Sequence, residues 1–362
     1  MTQAAIPFLF MRGGTSRGPY MNRADLPQDR DALAEVLVAM LGSGHPLNID
    51  GIGGGAAVTT KVAMLSASPD DWADVDYFFA QVGVENRQVD FKPTCGNILV
   101  GVGPAALEMG LVAATSEETE VRIRAVNTGA RVISKVRTSP GGVVYDGETA
   151  IDGVPGTASP VALMFMDVTG GATGALFPTG NRTDVIDGID VSCMDVAMPM
   201  VIARAADFGL TGSETAAELD ENREFYARME AIRQQAGRMM GMGDVSASVT
   251  PKFGLLAPPI AGGTALTRYF MPANCHPSLA VTGSQCLSAC LLCPGTVGAG
   301  IADFPDRGPV NLRLEHPMGL LDVVMDYRID GDSFEVISAG LTRTARKLAS
   351  GEVFVPSAGV GK

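Results

Sequence analysis

Lys61 and Cys95 are the two side chains of this sequence whose type and setting indicate proton-transfer chemistry. Lys61 ends the segment Gly51-Ile-Gly-Gly-Gly-Ala-Ala-Val-Thr-Thr-Lys61, and Cys95 stands in Lys92-Pro-Thr-Cys-Gly-Asn97, ahead of an apolar run of small residues. An amine and a thiol both exchange protons near neutral pH once burial and neighbouring charges have tuned them. Together they indicate proton transfer to and from carbon, which is the chemistry of an isomerase.

Each of these two residues also has a structural interpretation. Lys61 could be an exposed lysine on a strand, but apolar neighbours favour a partly buried strand, in which an amine loses proton affinity and becomes a usable base: Val58, Val62, Ala63 and Met64. Cys95 could be a small core thiol. Pro93, however, stops any preceding helix, and a thiol at the start of the following helix is stabilised as thiolate.

Two glycine-rich segments are predicted to bind an anion through their backbone amides. Arg12-Gly-Gly-Thr-Ser-Arg-Gly18 combines two hydroxyls with two guanidiniums, which suits a carboxylate or phosphate; the alternative is a solvated turn. The segment from Gly51 to Ala56 fits the dinucleotide pattern G-x-G-x-x-[GA], but no strand precedes it and no helix follows. We therefore favour a substrate-contacting loop over a nicotinamide site. The predicted contacts in this half are Arg12, Thr15, Ser16, Arg17, Gly53, Gly54, Gly96 and Asn97.

A second set of predicted contacts surrounds the start of another apolar helix, residues 283–293. Helix starts attract anions because unpaired N–H groups point outward there. The set consists of Arg268, His276, Ser278, Thr282, Gly283 and Ser284. His276 is either a ligand contact or a structural histidine, and the same alternatives hold for His45. His316, in Glu-His-Pro, is expected in an exposed turn.

The cysteines downstream do not predict a metal site. Cys286, Cys290 and Cys293 have the spacing of half a zinc site, but their neighbours are apolar and no second Cys/His pair has metal spacing. We expect core thiols and no metal. Neither a Gly-x-Ser-x-Gly elbow nor a Gly-x-x-x-x-Gly-Lys-Ser loop is present, so hydrolase and P-loop functions lack support.

Composition limits the class of protein further. The 362 residues favour two domains, and a net charge of −13 argues against nucleic-acid or anionic-membrane partners. No signal peptide or membrane span is recognisable, and six cysteines in such a chain are expected to be free thiols in the cytoplasm. A homodimer is expected only from the prevalence of dimers.

The segments alternate between strands and helices in a way that predicts an α+β fold. Strands are predicted at residues 6–11, 58–67, 120–126, 131–138, 160–167, 333–344 and 353–356. Helices are predicted at 29–41, 97–110, 215–240 and 283–293, the third starting with a capping box formed by Thr215 and Glu218. Each half would surround one buried apolar helix, with the boundary in the loop 170–183 and domains at 1–180 and 181–341. The tail, residues 342–362, is expected to pack on the first domain.

Four motifs in this chain resemble the PrpF-like isomerase family, which has the fold of diaminopimelate epimerase. They are Met11-Arg-Gly-Gly-Thr-Ser-Arg-Gly18, Ile49-Asp-Gly-Ile-Gly-Gly-Gly55 with Val58-Thr-Thr-Lys-Val62, Cys95-Gly-Asn97, and Cys275-His-Pro-Ser-Leu-Ala-Val-Thr-Gly283. Two further segments are similar to 4-oxalomesaconate tautomerases, some of which are better described as allylic isomerases: Asp74-Val-Asp-Tyr-Phe-Phe-Ala-Gln-Val-Gly83 and Ala345-Arg-Lys-Leu-Ala-Ser-Gly-Glu-Val-Phe-Val355.

The resemblance implies two pseudo-symmetric domains, each an open β-barrel around a central helix, with the site between them and no cofactor. It also implies that Lys61 and Cys95 are the catalytic pair, and that the substrate is a polycarboxylate such as 4-oxalomesaconate from the bacterial 4,5-cleavage pathways for gallate and protocatechuate. The chain departs from the epimerases at the second helix, where Thr282-Gly-Ser284 replaces a cysteine. A two-thiol racemase is therefore disfavoured.

We thus expect neutral Lys61 to remove an allylic proton, and Lys61 or Cys95 to return a proton at the far end of the allyl system. Helix starts, glycine-loop amides and the cations Arg12, Arg17 and Arg268 would stabilise the enolate between these steps. Three alternatives remain open: the same chemistry on aconitate or methylitaconate, a cofactor-free racemase, and a non-catalytic carboxylate-binding protein.

Overall fold

Two compact units make up the chain, and each contains strands wrapped on a buried helix. In this computed structural model, which describes residues 3–271 and 273–357, the first unit comprises residues 1–165 and 342–362 and the second residues 166–341. The tail residues 358–362 lie outside the described residues. Loop 170–183 hydrogen-bonds within the second unit, for example from Arg182 to the carbonyls of Pro294 and Asp332.

The first unit alternates strands with three helices. Its strands are β1 (Gln3–Gly13), β2 (Ser16–Asn22), β3 (Lys61–Ala67), β4 (Val75–Val82), β5 (Val89–Asp90), β6 (Glu118–Ala125), β7 (Ala130–Ser139), β8 (Gly142–Val143) and β9 (Pro160–Met166). Its helices are α1 (Arg30–Leu41), α2 (Gly96–Val100) and α3 (Val102–Glu108). Asp29 caps α1 by accepting from the amides of Asp31 and Ala32, which is why this helix begins where predicted.

The second unit has the remaining elements. They are β10 (Asp184–Ile186), β11 (Ile189–Val196), β12 (Met198–Arg204), α4 (Ala216–Glu221), α5 (Arg223–Met239), β13 (Lys252–Ala257), β14 (Ala265–Phe270), α6 (Val281–Leu292), β15 (Val310–His316), β16 (Gly319–Asp330) and β17 (Ser333–Pro356). The first part of β17 pairs with β16, and its part from Ala345 onward pairs with β1 of the first unit.

The same order of strand pairings occurs in both units. Going outward from β1, neighbouring strands pair antiparallel (β1 with β2), parallel (β2 with β3), antiparallel (β3 with β4), parallel (β4 with β6) and antiparallel (β6 with β7). From β11 the sequence of directions is identical through β12, β13, β14, β15 and β16. Lys61 and Lys252 are consequently the first residues of equivalent strands, β3 and β13. This repetition confirms the predicted pseudo-symmetry and the α+β class.

Each repeat buries one apolar helix against its strands. In the first unit, α2 packs on β1, β2 and β3, and α3 packs on β6 and β7. The strand β9 pairs with β17, which also pairs with β1. In the second unit, α6 packs on β11, β12, β13 and β16. All residues of α6 from Gly283 to Leu292 are buried, as expected for a helix that is apolar all round.

Two predicted helices are divided in the structure, and two predicted strands are joined. The helix predicted at 97–110 is divided at Gly101, because Pro104 cannot donate to the carbonyl of Val100. The helix predicted at 215–240 is divided at Asn222, whose side chain accepts from the Phe225 amide and starts α5, although the predicted Thr215–Glu218 capping box is present. The two strands predicted in the tail are one continuous strand, because β1 pairs with residues that show no strand pattern of their own.

Candidate active site

Lys61 begins β3 and is held in place by two side chains of the neighbouring strand. Its Nζ donates to Oε1 of Gln81 at 2.6 Å and lies 5.4 Å from the centre of the Phe79 ring. Alternation along β3 puts Lys61 on the same face as Ala63 and Leu65, which pack in the core that contains α2. The half-buried amine therefore faces the central helix of the first unit.

The neighbourhood of Lys61 in the sequence differs from the expectation in one respect. Residues Ala57–Thr59 form a 3-10 turn, and Val58 in that turn is 46% exposed. Val58 is therefore wrongly assigned to a partly buried strand, whereas Val62, Ala63 and Met64 are buried as expected. Gly18 allows β2 to approach the start of β3 closely, since a Cβ on Gly18 would stand 1.8 Å from the Lys61 carbonyl oxygen.

Cys95 is the N-cap of α2 and is half exposed, as predicted for a thiol at a helix start. Its carbonyl accepts from the Leu99 amide at 2.8 Å and from the Tyr77 hydroxyl at 3.5 Å. A Cβ on Gly96 would meet nothing within 4 Å, so open space adjoins the first turn of the helix beside the thiol.

One face of β4 connects the two predicted catalytic residues. Tyr77, Phe79 and Gln81 alternate along this face; Tyr77 contacts Cys95 at one end and Gln81 contacts Lys61 at the other. Four residues of strand separate these two contacts, or about 13 Å. Lys61 and Cys95 thus border the same region of the first unit.

Two buried tyrosines support the start of α2 without supplying a charge. Tyr20 donates to the Ile98 carbonyl at 2.6 Å, and Tyr77 reaches the carbonyl of Cys95. Burial raises the pKa of both hydroxyls well above that of an ordinary tyrosine. Both tyrosines therefore stay neutral donors at neutral pH, and nothing in the sequence reasoning had singled them out.

The first glycine-rich segment packs on the start of α2 through its turn. Asn97 Nδ2 donates to Thr15 Oγ1 at 3.0 Å, and the Thr15 amide donates to Asn97 Oδ1 at 3.3 Å. Gly13 and Gly14 are needed for this contact, because a Cβ on either would stand less than 2.5 Å from an atom of Asn97. Ser16 is 2% exposed, and its Oγ has no hydrogen-bond partner among the described residues. The structure therefore brings Thr15, Gly96 and Asn97 together near Cys95, and Ser16 is paired with Gly13 in the same segment.

The two arginines of this segment are directed elsewhere. Arg12 and Arg17 pair across β1 and β2, on the face opposite to Met11 and Tyr20, which lie in the α2 core. The Arg12 guanidinium donates to the carbonyls of Gly14 and Thr344 at 2.9 and 2.8 Å, which fixes the turn. Arg17 lies over the Phe10 ring and beside Gly54. Neither side chain shares the face of Lys61.

Asn48, which the sequence reasoning missed, holds the second glycine-rich loop. Its Oδ1 accepts from the Gly55 amide at 2.8 Å, and its Nδ2 reaches the carbonyls of Gly42 and Val84. Asn48 is buried with a φ of 48°, a left-handed conformation that Asn tolerates better than most residues. A Cβ on Gly53 would stand 2.5 Å from the Leu41 carbonyl oxygen, so packing on α1 already requires this glycine. His45 accepts from the Leu47 amide and is exposed.

In the second unit, the residues at the start of α6 lie in its first turn. The helix begins at Val281, two residues earlier than predicted. Thr282 is exposed and contacts Met198 Sδ, to which the Tyr269 hydroxyl also points. A Cβ on Gly283 would stand 2.3 Å from the Tyr269 ring, and Ser284 Oγ donates to the Val281 carbonyl. Helix packing and local hydrogen bonding thus account for Gly283 and Ser284.

His276 lies next to this group and has a defined tautomer. Its Nδ1 accepts from the Ser278 amide at 2.9 Å, so the neutral ring carries its hydrogen on Nε2. The ring packs edge-on against Tyr269 at 5.8 Å. His316, expected in an exposed turn, is instead 9% exposed, with its Nε2 3.4 Å from Ser278 Oγ. That expectation was wrong because β15 ends against the segment that carries Ser278.

Arg268 is separated from these residues by the sheet. It alternates with Tyr269 on β14 and therefore points to the opposite face, away from α6. Its guanidinium donates to the carbonyls of Glu214 and Thr267, both at 2.8 Å, and burial lowers its pKa. This geometry favours a structural role for Arg268.

The remaining cysteines behave as core thiols. Burial raises the pKa of Cys290 to about 11 and that of Cys293 to about 12, and Cys286 is raised further still. Across the described ranges, no group of three or more His, Cys, Asp or Glu side chains is arranged to hold a metal ion. In the part of the chain that the structure describes, no helix combines the length and apolar character required for crossing a membrane.

Comparison with known proteins identifies the family. The sequence model described as PrpF protein matches residues 3–356. A (4E)-oxalomesaconate Delta-isomerase of Novosphingobium sp. (strain KA1) is 46% identical over 96% of this chain and 97% of that protein. A 4-oxalomesaconate tautomerase of Pseudomonas putida is 45% identical over 98% of this chain and 97% of that protein. The crystal structure of a methylitaconate-delta-isomerase superimposes with a TM-score of 0.87 at 32% identity, covering 100% of this chain and 98% of that chain.

The likeness to named isomerases therefore extends along nearly the whole chain. This chain belongs to the PrpF family, and the protein is an isomerase.

Proposed function

We propose that the protein moves a carbon–carbon double bond by 1,3-proton transfer, without a cofactor, in an unsaturated keto-tricarboxylate. The preferred substrate is 4-oxalomesaconate, on which two relatives at 45–46% identity are named to act. The observation that carries the proposal is that one face of β4 contacts both residues: Gln81 bonds the Lys61 amine, and Tyr77 bonds the backbone carbonyl of Cys95.

Lys61 is the proposed base. In its neutral form it removes the allylic proton and becomes an ammonium, which the face of the Phe79 ring stabilises by a cation–π interaction. The electron pair released by the C–H bond spreads through the conjugated system to the keto oxygen as an enolate. We propose that amides at the start of α2 stabilise that charge, together with the buried, unpartnered Ser16 hydroxyl.

The second proton transfer completes the isomerisation. A proton returns to the far carbon of the allyl system, either from the Lys61 ammonium or from the Cys95 thiol, and the enolate collapses to the ketone. If Cys95 donates, the thiolate that remains takes a proton from solvent and the Lys61 ammonium releases one to solvent before the next turnover, so the enzyme is restored with no net change in protons. Thr15 and Asn97, bonded to each other, are proposed to hold the substrate beside the helix start. His276, Ser278 and Thr282 stay predicted substrate contacts, whereas the proposed site excludes Arg268.

Exchange of substrate hydrogens with solvent tests this proposal. Proton NMR in D₂O, run with oxalomesaconate, aconitate and methylitaconate, should show deuterium incorporation and double-bond migration, fastest with oxalomesaconate. Lys61→Ala should slow both by roughly 10²–10⁴-fold, the usual contribution of one general base. Lys135→Ala is the matched control, since Lys135 is a strand lysine of the same unit paired with Glu120 at the surface. Retained exchange in Lys61→Ala, or loss of activity on chelation with recovery on adding a divalent ion, would overturn the mechanism.

The alternatives give different results in the same assay. An aconitate or methylitaconate isomerase would turn over those acids fastest. The structural likeness to a methylitaconate-delta-isomerase is the observation that favours this alternative. A racemase would exchange hydrogen without moving the double bond.

We also infer a cytoplasmic location and a role in the degradation of lignin-derived aromatic compounds. All six cysteines are free thiols, which suits a reducing compartment. The aromatic-degradation role follows from the proposed substrate alone. A homodimer stays a prediction.

A further inference from the structure

We propose that Gln81 is a positioning residue that aims the lone pair of Lys61 at the substrate carbon. This inference rests on the proposed function, in which Lys61 is the base. It begins from the strand register, which sets Gln81 directly opposite Lys61 on β4 and so puts both side chains on one face of the sheet.

The orientation of the Gln81 amide is fixed by the groups around its nitrogen. Nε2 lies 3.1 Å from the Ala57 carbonyl oxygen and 3.2 Å from that of Thr60, both of which can only accept hydrogen bonds. With the nitrogen committed to these carbonyls, Oε1 must face Nζ of Lys61, at 2.6 Å. Reversing the amide would set its oxygen against the two carbonyl oxygens.

An acceptor fixed in this way constrains the amine in both protonation states. The ammonium has three N–H donors and the neutral amine keeps two, so the bond to Oε1 persists when the proton is transferred. Because one hydrogen of the neutral amine always points to Gln81, the lone pair points away from it. The Phe79 ring, on the same strand as Gln81, also lies against Nζ and further restricts the directions in which the lone pair can point. A base whose lone pair is already aimed loses less orientational freedom on reaching the transition state.

The link to the 3-10 turn gives Gln81 a second effect. Ala57–Thr59 connect the Gly51–Gly55 loop to β3, and Gln81 ties both ends of this turn, at Ala57 and Thr60, to the neighbouring strand. Thr60 is itself tied to the same strand through its hydroxyl, which donates to the Val82 carbonyl at 2.7 Å. The position of the Lys61 backbone therefore does not depend on Gln81 alone, and substituting Gln81 should disturb the amine more than the strand.

Two substitutions of opposite electrostatic effect test the proposal. Gln81→Met keeps the volume and removes the acceptor, while Gln81→Glu keeps an acceptor and adds a charge beside the amine. We expect kcat of Gln81→Met to fall roughly tenfold to a hundredfold, with a smaller change in KM. The acidic limb of its kcat/KM–pH profile should move to lower pH, because the ammonium has lost a stabilising dipole. In Gln81→Glu the same limb should move to higher pH, because a carboxylate favours the ammonium.

Other titratable groups also face Lys61, and the pair of Gln81 variants separates their effect on the pH profile from that of Lys61. They are Tyr20 on β2, Tyr77 on β4, Asp90 on β5 and Cys95 at the start of α2. Both tyrosines stay neutral over the assay range, since burial raises the pKa of each. All four groups are common to every variant, so opposite movements of the limb in the two Gln81 variants report on the Lys61 contact.

Gln88 provides matched controls. Gln81 and Gln88 both line a cavity of about 550 Å³, and the exposed Gln88 side chain hydrogen-bonds to Asn86. Gln88→Met and Gln88→Glu should leave kcat and the pH profile unchanged. Gln81→Glu sets an oxygen against the Ala57 and Thr60 carbonyls and is therefore expected to lower stability. Thermal unfolding of all variants measures this loss, and rates are compared per folded protein.

The Lys61→Ala variant separates failure of this inference from failure of the proposed function. If Lys61→Ala is inactive and both Gln81 variants behave like the Gln88 controls, Gln81 does not position the base, although the base assignment stands. If the limb moves in the same direction in both Gln81 variants, the substitutions only perturb the structure, and the inference is overturned. If Lys61→Ala remains active, there is no base at this position to aim, and both proposals fail.

Discussion

Gly96 is the residue at which stability and activity can be separated most cleanly. A methyl group added there would enter open space beside Cys95, and the residue lies in the first turn of a helix, where alanine is well tolerated. We therefore expect Gly96→Ala to leave the free energy of unfolding within about 0.5 kcal/mol of the parent value. Its kcat/KM should fall roughly tenfold or more if the substrate occupies that space. Thermal unfolding and the deuterium-exchange assay measure the two effects.

Gly171→Ala is the control for this change. Gly171 also has nothing within 4 Å of its added Cβ and has no left-handed backbone, but it lies in a loop of the second unit. It should keep both stability and activity. Full activity in Gly96→Ala would show that the substrate does not approach the start of α2.

At the scale of single residues, the reactive side chains could be predicted from the sequence, but the residues that contact them could not. Lys61 and Cys95 could be singled out because glycine-rich segments and a helix start are visible locally. Gln81 could not, since it lies twenty residues beyond Lys61 and meets it only through the register of two strands. The direction of the Arg268 side chain could not be predicted for a related reason: a sequence shows that Arg268 alternates with Tyr269, but not which of the two faces α6.

The pairing of β2 with β3 sets where the base stands. Glycine is the only residue type that fits at position 18 of β2, because a Cβ added to Gly18 would lie 1.8 Å from the carbonyl oxygen of Lys61. We expect Gly18→Ala to destabilise the protein by about 1–3 kcal/mol, as for other overpacked sites. It should also lower the exchange rate per folded protein, because relief of the clash must move the backbone that carries Lys61.

Gly351→Ala provides the comparison in another strand of the same unit. An added Cβ on Gly351 meets nothing within 4 Å, so both the unfolding midpoint and the exchange rate should match the parent protein. Equal stability of Gly18→Ala and Gly351→Ala would contradict the tight contact between β2 and β3.

Elements with their own local signals were predictable, and those formed by pairing were not. Asp29 and the capping box at Thr215 marked helix starts correctly. Asn222 did not signal a break, because Asn is compatible with both helices and caps. Residues 345–351 show no alternating apolar pattern and become strand only because β1 lies beside them, and β1 is more than 300 residues away in sequence.

The whole molecule should be most stable between about pH 5 and pH 9. Burial alone would raise the pKa of Glu315, but three backbone amides outweigh it and hold the pKa below its usual value of 4.5. The stability it provides is present above that value and is lost as pH falls through the lower folded pKa. Burial raises the pKa values of Cys286 and Tyr77 above the usual 9.0 and 10.0. The unfolded chain loses these protons first, so stability declines as pH rises above about 9.

Thermal unfolding midpoints from pH 3 to pH 11 measure both limbs. Glu315→Gln should flatten the acidic limb and Tyr77→Phe the alkaline limb, each leaving the other limb unchanged. An alkaline limb that is equally steep in Tyr77→Phe would mean that this hydroxyl ionises as readily in the folded protein as in the unfolded chain.

The long final strand has a consequence for the order in which the protein can be completed during synthesis. Its first part adds to the second unit, but residues 345–356 form the partner of β1, which is synthesised more than 300 residues earlier. One edge of β1 must therefore stay unpaired until those residues have been translated. An unpaired edge is a template for wrong association, so ribosomes that stall late on this message should release chains that aggregate rather than chains that are merely inactive.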